Sequence, residues 1–349
     1  MRDDFKAMVW RILAGLYVAS GMGRIRHRGR VVILTYHRVV SDHMVMDEHI
    51  QPGMYVRGQS FEAHVAYIQK RFSIISLDEL LDLWRTGRLK RDQSYCVITF
   101  DDGWKDNYEF AFPVLMKYRT PATIFLATDF IGTTRWFWPD RMMLLLEKGR
   151  QPTTSAADRK TISTVLAETI GVILSAEDGI FRRVELGAPI DPDGIIELCK
   201  AVEVGRVHQI IDRLSRALHM ELPTHRVLLN WDEVREMAGK GITFGSHSVS
   251  HRIMTQIPLS DVKMELIDSR KTMLEQGIKP VPVFCYPNGN FDRNIQELVR
   301  GSGYRAAVGC EVGLEPDRPN DLFALKRISV HEDSSASVPL LALTLSGFR

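Results

Sequence analysis

The chain has 349 residues, and its apolar fraction of 45% and charged fraction of 25% are those of an ordinary globular protein. Its formal net charge of +2 at pH 7 argues against a nucleic-acid-binding protein held by bulk electrostatic attraction. The four cysteines form no C-x-x-C pair, so a structural zinc ribbon is not expected.

The first 29 residues predict an amphipathic helix followed by a basic linker. Apolar residues recur at helical spacing from Phe5 to Ala19, and four arginines follow between residues 24 and 30. Arg11 interrupts the apolar stretch, which is too short to span a bilayer. The helix packs on its own domain, makes a peripheral contact with anionic lipid, or is a cleaved signal. We expect a cytoplasmic protein, free or peripheral to the inner membrane, with a secreted or periplasmic location as the alternative.

From residue 30 onward, strand-like and helical segments alternate, as in a parallel α/β barrel. The first helix of the barrel is expected to begin at a Ser60 cap. The second helix of the barrel is expected to run from a Ser76 cap to Gly87. Residues 131–225 are mostly helical in pattern and richer in polar residues, and we interpret them as an insertion in a barrel of residues 30–349. The predicted strands are 30–36, 95–100, 122–128, 242–248, 281–287, 304–309 and 324–330.

Polar clusters follow four of these strands, in the segments TYH, FDD, GSHSVSH and YPNGN. In parallel α/β barrels the chemistry lies at the carboxyl ends of the strands. We therefore expect these four clusters to converge at one rim, provided that the sheet closes.

The pair Asp101 and Asp102 follows a buried strand, where two adjacent carboxylates need a compensating charge. His247 and His251 are four residues apart, a spacing that can bring both imidazoles to one side of a turn. Each motif alone is weak, because an Asp-Asp-Gly turn often caps a helix and most His-x-x-x-His spacings bind nothing. Together they predict two imidazoles and one carboxylate on a divalent cation, with the second carboxylate accepting a proton from the bound water.

The segments TFDDG, HSVSH and YPNGNFD resemble the first three motifs of the polysaccharide deacetylases, also called NodB-homology or carbohydrate esterase family 4 enzymes. LTYHRV and WDEVREMAGKGITFGSHS match the usual surroundings of those motifs, so the resemblance covers about 30–130 and 228–331. It implies an α/β fold, a distorted TIM-like (β/α)7 barrel, and metal-dependent removal of N-acetyl groups from sugars.

The resemblance also implies a role for each motif residue. Asp101 is expected to be the catalytic base, and the ligand set favours Zn²⁺, with Co²⁺, Ni²⁺ or Mn²⁺ as alternatives. The expected metal ligands are Asp102, His247 and His251.

In the third motif, the backbone N–H of Asn288, which follows Pro287, is expected to stabilise the developing oxyanion. Gly289 would permit a tight turn and close approach of the substrate. A plain Pro-Asn-Gly turn is the alternative interpretation.

The sequence departs from the family pattern at the position two residues before this proline. Many members carry an arginine there that orients the catalytic aspartate, whereas this chain has Cys285. We predict that Arg327 supplies the missing cation. The Asp-rich fourth motif is not recognisable, and the histidine that protonates the leaving amine is either His37 or His331, with His37 slightly favoured as a residue near the site.

Trp138 stands in an aromatic segment at the start of the insertion and is expected to border the substrate groove, or else to anchor the insertion. The histidines without a partner at ligand spacing are predicted to be surface residues. They are His27, His43, His49, His64, His208, His219 and His225.

The sequence thus predicts a hydrolase that removes N-acetyl groups from a polysaccharide or other glycan, as in exopolysaccharide or cell-wall modification. One alternative keeps the metal but acts as a deacylase or deformylase on a lipid-linked or small amide. The other is a catalytically weak, carbohydrate-binding barrel, for which Cys285 is the best argument.

Overall fold

The computed structural model describes residues 2–47, 50–51, 53–151, 154–170 and 190–347. Two compact units can be distinguished in the chain, and residues 42–51 belong to the same unit as the segment from residue 134 to residue 225. The first unit comprises Met1–Ser41, Pro52–Thr133 and Arg226–Arg349, and the second comprises Asp42–Gln51 and Thr134–His225.

Seven parallel strands of the first unit close into a ring in the order β1–β5–β6–β7–β8–β9–β10 and back to β1. This closure confirms the predicted (β/α)7 barrel, and each ring strand lies where the sequence pattern placed one. The ring strands are β1 Val31–Tyr36, β5 Tyr95–Phe100, β6 Thr123–Leu126, β7 Thr243–Ser246, β8 Val283–Cys285, β9 Ala306–Val312 and β10 Leu325–Ser329.

Three short strands escaped the sequence analysis. β2 Arg38–Val40 and β3 Tyr55–Arg57 form a separate two-stranded parallel sheet. β4 Ser73–Ile74 pairs with the first half of β5, whose second half pairs with β6. Strands of two or three residues are too short to show the alternation from which strands are predicted.

The strands β1 and β5 establish the position of the site. All six residues of each strand are buried, as expected for parallel strands covered on both faces. They pair in register from Val31 with Tyr95 to Tyr36 with Phe100, and the Asp101 N–H donates to the Tyr36 carbonyl. Residues 37 and 101 therefore leave the barrel side by side.

Helix α5 has the predicted ends, because the Ser76 side chain accepts the Glu79 N–H and Gly87 adopts a left-handed φ of 64°. Helix α4 corrects a prediction, since it begins two residues before Ser60, whose hydroxyl donates to Glu332 instead. The helices of the first unit are α1 Arg2–Ser20, α2 Met22–His27, α4 Gly58–Gln69, α5 Leu77–Thr86, α6 Phe112–Lys117, α11 Trp231–Gly239, α12 Leu259–Glu275, α13 Arg293–Gly301, α14 Glu332–Ser335 and α15 Val338–Thr344, with a π-helix at Asn107–Ala111 and short 3-10 turns at Met254–Gln256 and Pro287–Gly289.

The regular elements in the described part of the second unit are helices, and the unit has a hydrophobic core of its own. Met142, Leu146, Ile162, Ile196 and Ile211 are among the fully buried side chains of that core. Its helices are α3 Asp42–Asp47, α7 Trp138–Arg150, α8 Ala156–Ile170, α9 Pro192–Cys199 and α10 Val204–Ala217.

Helix α1 packs against α15 in the first unit, where Ala14 and Tyr17 contact Leu340 and Leu343. None of the helices in the described part of the chain is long and apolar enough to cross a membrane.

Two histidines predicted to lie on the surface are buried. The His27 Nε2 atom lies 2.9 Å from the Leu345 carbonyl, and the His64 Nε2 atom lies 2.8 Å from the Ser335 carbonyl. Burial lowers the pKa of His64 to about 4, although the hydrogen bond to Ser335 opposes this shift. His43, His208, His219 and His225 are exposed as predicted, and His49 lies outside the described residues.

Because the folded pKa of His64 is about 4 and its unfolded value is about 6.5, the unfolded chain binds a proton in this pH range that the folded chain does not. The contribution of His64 to the free energy of unfolding is therefore fully present above pH 6.5, and it is lost as the pH drops towards 4. We expect the free energy of unfolding of wild type, relative to His64→Gln, to decrease by roughly 2 kcal/mol between pH 7.5 and 4.5. Urea denaturation at both pH values measures this difference, with the exposed His43→Gln as the control. A difference that does not change with pH would contradict the assignment.

Candidate active site

Side chains from several strands meet at the carboxyl end of the barrel. Asp101 and Asp102 directly follow β5, His247 directly follows β7, and Arg327 projects from β10. The ring closure is what brings residues so far apart in sequence to a common rim.

The three predicted metal ligands lie together. The Asp102 Oδ1 atom is 3.4 Å from His247 Nε2 and 3.1 Å from His251 Nε2. One ligand atom from each residue can be chosen so that all of them lie within 4.8 Å of one another. Asp102 and His247 are buried, and the side chain of His251 is 25% exposed, which leaves one side of the cluster open to a substrate.

The His247 ring lies between two acceptor groups. Its Nδ1 atom lies 2.8 Å from the Cys285 carbonyl, so that a neutral ring donates there and turns the lone pair of Nε2 towards Asp102. A lone pair and a carboxylate oxygen at 3.4 Å repel each other unless a positive charge lies between them. Burial lowers the pKa of His247, but the neighbouring Cys285 and Asp102 raise it well above its ordinary value. The surroundings of this ring therefore favour a positive charge.

This ligand set fits a divalent cation such as Zn²⁺. Zinc binds imidazole nitrogen and carboxylate oxygen at about 2.0–2.2 Å, so two ligands at a tetrahedral angle lie about 3.3–3.5 Å apart. The separations of 3.1 and 3.4 Å from Asp102 to the two imidazoles are close to this value. Asp102, His247 and His251 are therefore suited to hold the ion.

Trp104, which the sequence analysis missed, orients Asp102. Its indole Nε1–H donates to Asp102 Oδ2 at 2.9 Å, leaving Oδ1 for the histidines. The Arg38 guanidinium lies 4.6 Å above the Trp104 ring and pairs with the buried Asp106 at 2.7 Å. Burial raises the pKa of Asp102, but the hydrogen bonds of the two imidazoles lower it well below its usual range.

Arg327 lies against the second carboxylate. Its two terminal nitrogens donate to the two oxygens of Asp101 at 2.7 Å each, and both side chains are almost fully buried. Burial raises the pKa of Asp101, but the charge and hydrogen bonds of Arg327 outweigh it and lower that pKa to about 2. Asp101 is therefore ionised at neutral pH.

The Arg327 side chain is fixed from several sides. It donates to the hydroxyls of Thr35 and Thr99 at 3.1 and 3.3 Å and to the Gly309 carbonyl at 2.9 Å. The Cys285 sulfur lies 3.4 Å from its terminal nitrogen, so the cysteine borders the guanidinium.

The loops that carry the ligands have strained backbones. Among the described residues, six that are not glycine have a positive φ, and four of them lie here. They are Asp102 at 75°, Ser248 at 70°, His251 at 58° and Asn288 at 56°. Such conformations persist only where surrounding contacts impose them, and they are frequent at functional sites.

Glu265 on α12 supplies such contacts and was also missed. Its carboxylate accepts the N–H groups of Val249 and Ser250 at 2.7 and 2.8 Å and lies 3.2 Å from Arg252. It thereby holds the loop between the two histidines. The sequence does contain a signal, because Glu265 falls within the buried face of α12 among apolar residues.

The third motif forms a 3-10 turn immediately after β8. Pro287 is buried and Asn288 is exposed, and the Gly289 N–H donates to the Tyr286 carbonyl at 2.8 Å. Gly289 has a φ of 75°, and an added Cβ would lie 2.6 Å from the Cys310 side chain. Only glycine fits this position without a shift of the backbone.

The two candidate proton donors lie after adjacent strands. His37 follows β1, its carbonyl accepts from Asn107 at 2.8 Å, and its charge is among those that lower the pKa of both Asp101 and Asp102. His331 lies two residues after β10, and its Nδ1 atom is 3.6 Å from Asp333.

Trp138 belongs to the second unit, where it is partly buried against that unit's core. The other predicted site residues lie in the first unit. Both interpretations of Trp138, a border of the substrate groove and an anchor that holds the insertion to the barrel, stay predictions.

Comparison with known proteins identifies the family. The profile of the polysaccharide deacetylase family matches residues 88–166 and 211–307, together just over half of the chain. YxkH of Bacillus subtilis is 20% identical over 308 residues, which span 88% of this chain and 74% of that protein.

Two further proteins resemble this chain, one in part of its sequence and one in its fold. A poly-β-1,6-N-acetyl-D-glucosamine N-deacetylase of Staphylococcus epidermidis is 33% identical over 82 residues, 23% of this chain and 28% of that enzyme. The deacetylase PplD of Streptococcus pyogenes has the same fold, with a TM-score of 0.55 at 17% identity over 90% of this chain and 98% of that one. The chain thus belongs to the polysaccharide deacetylase family, hydrolases that act on carbon–nitrogen bonds other than peptide bonds.

Proposed function

We propose that this protein removes N-acetyl groups from the amino sugars of a glycan, with a divalent cation held by Asp102, His247 and His251. The observation that carries the proposal is the convergence of these three side chains, with Asp102 Oδ1 at 3.4 Å from His247 Nε2 and 3.1 Å from His251 Nε2. The similarity to the poly-β-1,6-N-acetyl-D-glucosamine deacetylase supports an N-acetylglucosamine glycan as the substrate class. Zinc suits the ligand set best.

A cation bound there supplies Lewis acidity and lowers the pKa of water. Asp101 accepts the proton of the attacking water, while the paired nitrogens of Arg327 fix the direction of its carboxylate. The backbone N–H of Asn288 stabilises the oxyanion that develops on the amide. His37 then protonates the leaving amine, with His331 as the alternative donor.

The low pKa of Asp101 has two opposite effects. A value of about 2 keeps the carboxylate ionised at neutral pH, so that it can accept a proton. The same value makes it a weak base, because proton transfer is most efficient when the pKa of the base is near the working pH. Asp101 would accept this proton more readily if a cation held by Asp102, His247 and His251 also lowered the pKa of the attacking water.

Family membership and the position of Arg327 argue against the alternative of a catalytically weak barrel. That alternative rested on Cys285, which stands where many family members have an arginine. In this chain the Arg327 guanidinium lies beside Asp101 and next to Cys285. The alternative of a lipid-linked or small amide substrate stays a prediction, as does the cellular compartment.

Asp101→Asn is expected to retain the metal and to lose activity by about 10²–10⁴-fold, because it removes the general base without touching the ion's ligands. Metal analysis of the purified variant, together with acetate release from an N-acetylglucosamine oligomer, measures both properties. Asp102→Asn is the matched variant, and it should lose the metal as well. If Asp101→Asn loses its metal and Asp102→Asn keeps it, the two aspartates have the opposite roles.

Arg327→Ala is expected to reduce kcat/KM at pH 7 at least tenfold and to move the acid limb of the pH–rate profile to higher pH. The reason is that burial raises the pKa of Asp101 once the guanidinium no longer offsets it. Breaking a buried ion pair also costs about 3–5 kcal/mol of stability, so the melting temperature must be followed in parallel.

Arg327→Lys serves as the matched control, because it keeps the charge and loses the two-pronged geometry. It should hold the acid limb near that of wild type while lowering the rate. Activity of Arg327→Ala within a few-fold of wild type, with an unchanged profile, would disprove the assignment.

Removal of the metal by dialysis against a chelator should abolish acetate release, and added Zn²⁺ should restore it. His251→Ala should contain far less metal after purification, since it deletes one of the three proposed ligands. His225→Ala changes an exposed histidine in the second unit and should match wild type in metal and activity. Full activity after complete metal removal would rule out the proposed chemistry.

A further inference from the structure

An apolar face on helices α1 and α2 is exposed to solvent. The side chains on α1 recur at spacings of three and four residues and therefore lie along one side of the helix. We call these residues the N-terminal apolar face: Met8, Val9, Ile12, Leu13 and Leu16 on α1, with relative exposures of 36–62%, and Met22 and Ile25 on α2, at 52% and 80%.

The other side of α1 is already packed. Ala14 and Tyr17 are buried against Leu340 and Leu343 of α15, so the helix does not need its remaining apolar residues to hold on to the barrel. A helix that is apolar on both sides is normally buried on both. The N-terminal apolar face therefore needs a second apolar environment.

The surroundings of this face are basic. No aspartate or glutamate occurs between Asp4 and Asp42, whereas this stretch contains several arginines. Arg11, Arg24 and Arg28 are among its exposed residues. Exposed apolar side chains flanked by arginines, on helices that are not long and apolar enough to span a bilayer, are typical of segments that lie in a membrane interface.

A cavity beside α2 extends the basic character. Its volume is about 520 Å³, and its lining includes Arg24, Arg28, Lys70 and Arg71, with Asp92 as the acidic lining residue. A recess with four cations and one carboxylate can accommodate a phosphate-bearing headgroup at the edge of the apolar face.

The charge also decides between two occupants of the face. A second copy of this chain would bring a second basic surface against the first, and like charges across an interface are unfavourable. An anionic lipid surface offers both hydrocarbon for the apolar side chains and phosphate for the arginines. We propose that α1 and α2 bind the protein to the surface of an anionic phospholipid bilayer.

This mode of binding places the catalytic rim away from the lipid. Helix α2 leads through residues 28–30 into the start of β1, whereas Asp101 and Asp102 lie beyond the ends of the strands. A strand of six residues spans about 20 Å. The rim therefore faces a glycan in the aqueous phase above the membrane.

Sedimentation of the full-length protein with phospholipid vesicles tests the proposal. We expect binding to vesicles that contain phosphatidylglycerol, weak or absent binding to pure phosphatidylcholine, and loss of binding at high salt. Ile12→Ser/Leu16→Ser and Arg24→Gln/Arg28→Gln should each weaken the binding at least about tenfold.

Matched controls distinguish binding through the N-terminal apolar face from nonspecific binding to vesicles. Met264→Ser/Ile267→Ser removes side chains of similar exposure from α12, and Arg85→Gln/Arg293→Gln removes two exposed arginines elsewhere. Both should bind vesicles as wild type does, and all four variants should keep the melting temperature and the acetate release from a short oligomer. Binding that none of the variants alters, or no binding to phosphatidylglycerol vesicles, would overturn the proposal. A dimer that Ile12→Ser/Leu16→Ser dissociates, in a protein that ignores vesicles, would overturn it in favour of a second copy.

Discussion

The site depends on the balance of charge around two adjacent carboxylates that are buried at the end of β5. Asp101 and Asp102 together carry two negative charges, and Arg327 neutralises one of them through two hydrogen bonds of 2.7 Å. The remaining charge faces two imidazoles, which a proton or the proposed divalent cation can make compensating. Ionised groups are costly to bury without such compensation, so both partners stabilise the aspartates in this position. The closed ring is necessary because Arg327 reaches Asp101 from another strand.

Much of this arrangement could be predicted from sequence. Buried parallel strands are continuous apolar runs, which made the seven ring strands visible, and polar residues directly after such runs marked the rim. The pair Asp101–Asp102 and the spacing of His247 and His251 then predicted a cation-binding cluster, and the family resemblance assigned Asp102 to it. These features are local in sequence, and each has a physical cause that acts over a few residues.

The supporting contacts could not be predicted in this way, because they join residues that only the fold brings together. Trp104 acts on Asp102 through an indole hydrogen bond, and Glu265 holds the histidine loop from a helix that follows it. His27 and His64 were taken for surface residues because nothing in a sequence shows that a carbonyl of a distant helix will meet the ring. Segment 42–51 was likewise not linked to residues 134–225, with which it forms one unit.

The cysteine at position 285 bears on how members of this family are recognised from their sequences. The guanidinium beside Asp101 comes here from β10, whereas the family pattern leads one to expect it on the strand that carries Cys285. At the mouth of a closed ring, a single point can be reached from several strand ends, so selection acts on where a charge arrives in space and not on which segment delivers it. A survey that scores one alignment column for arginine would classify this protein as inactive, whereas a search for the same charge in three dimensions would retain it.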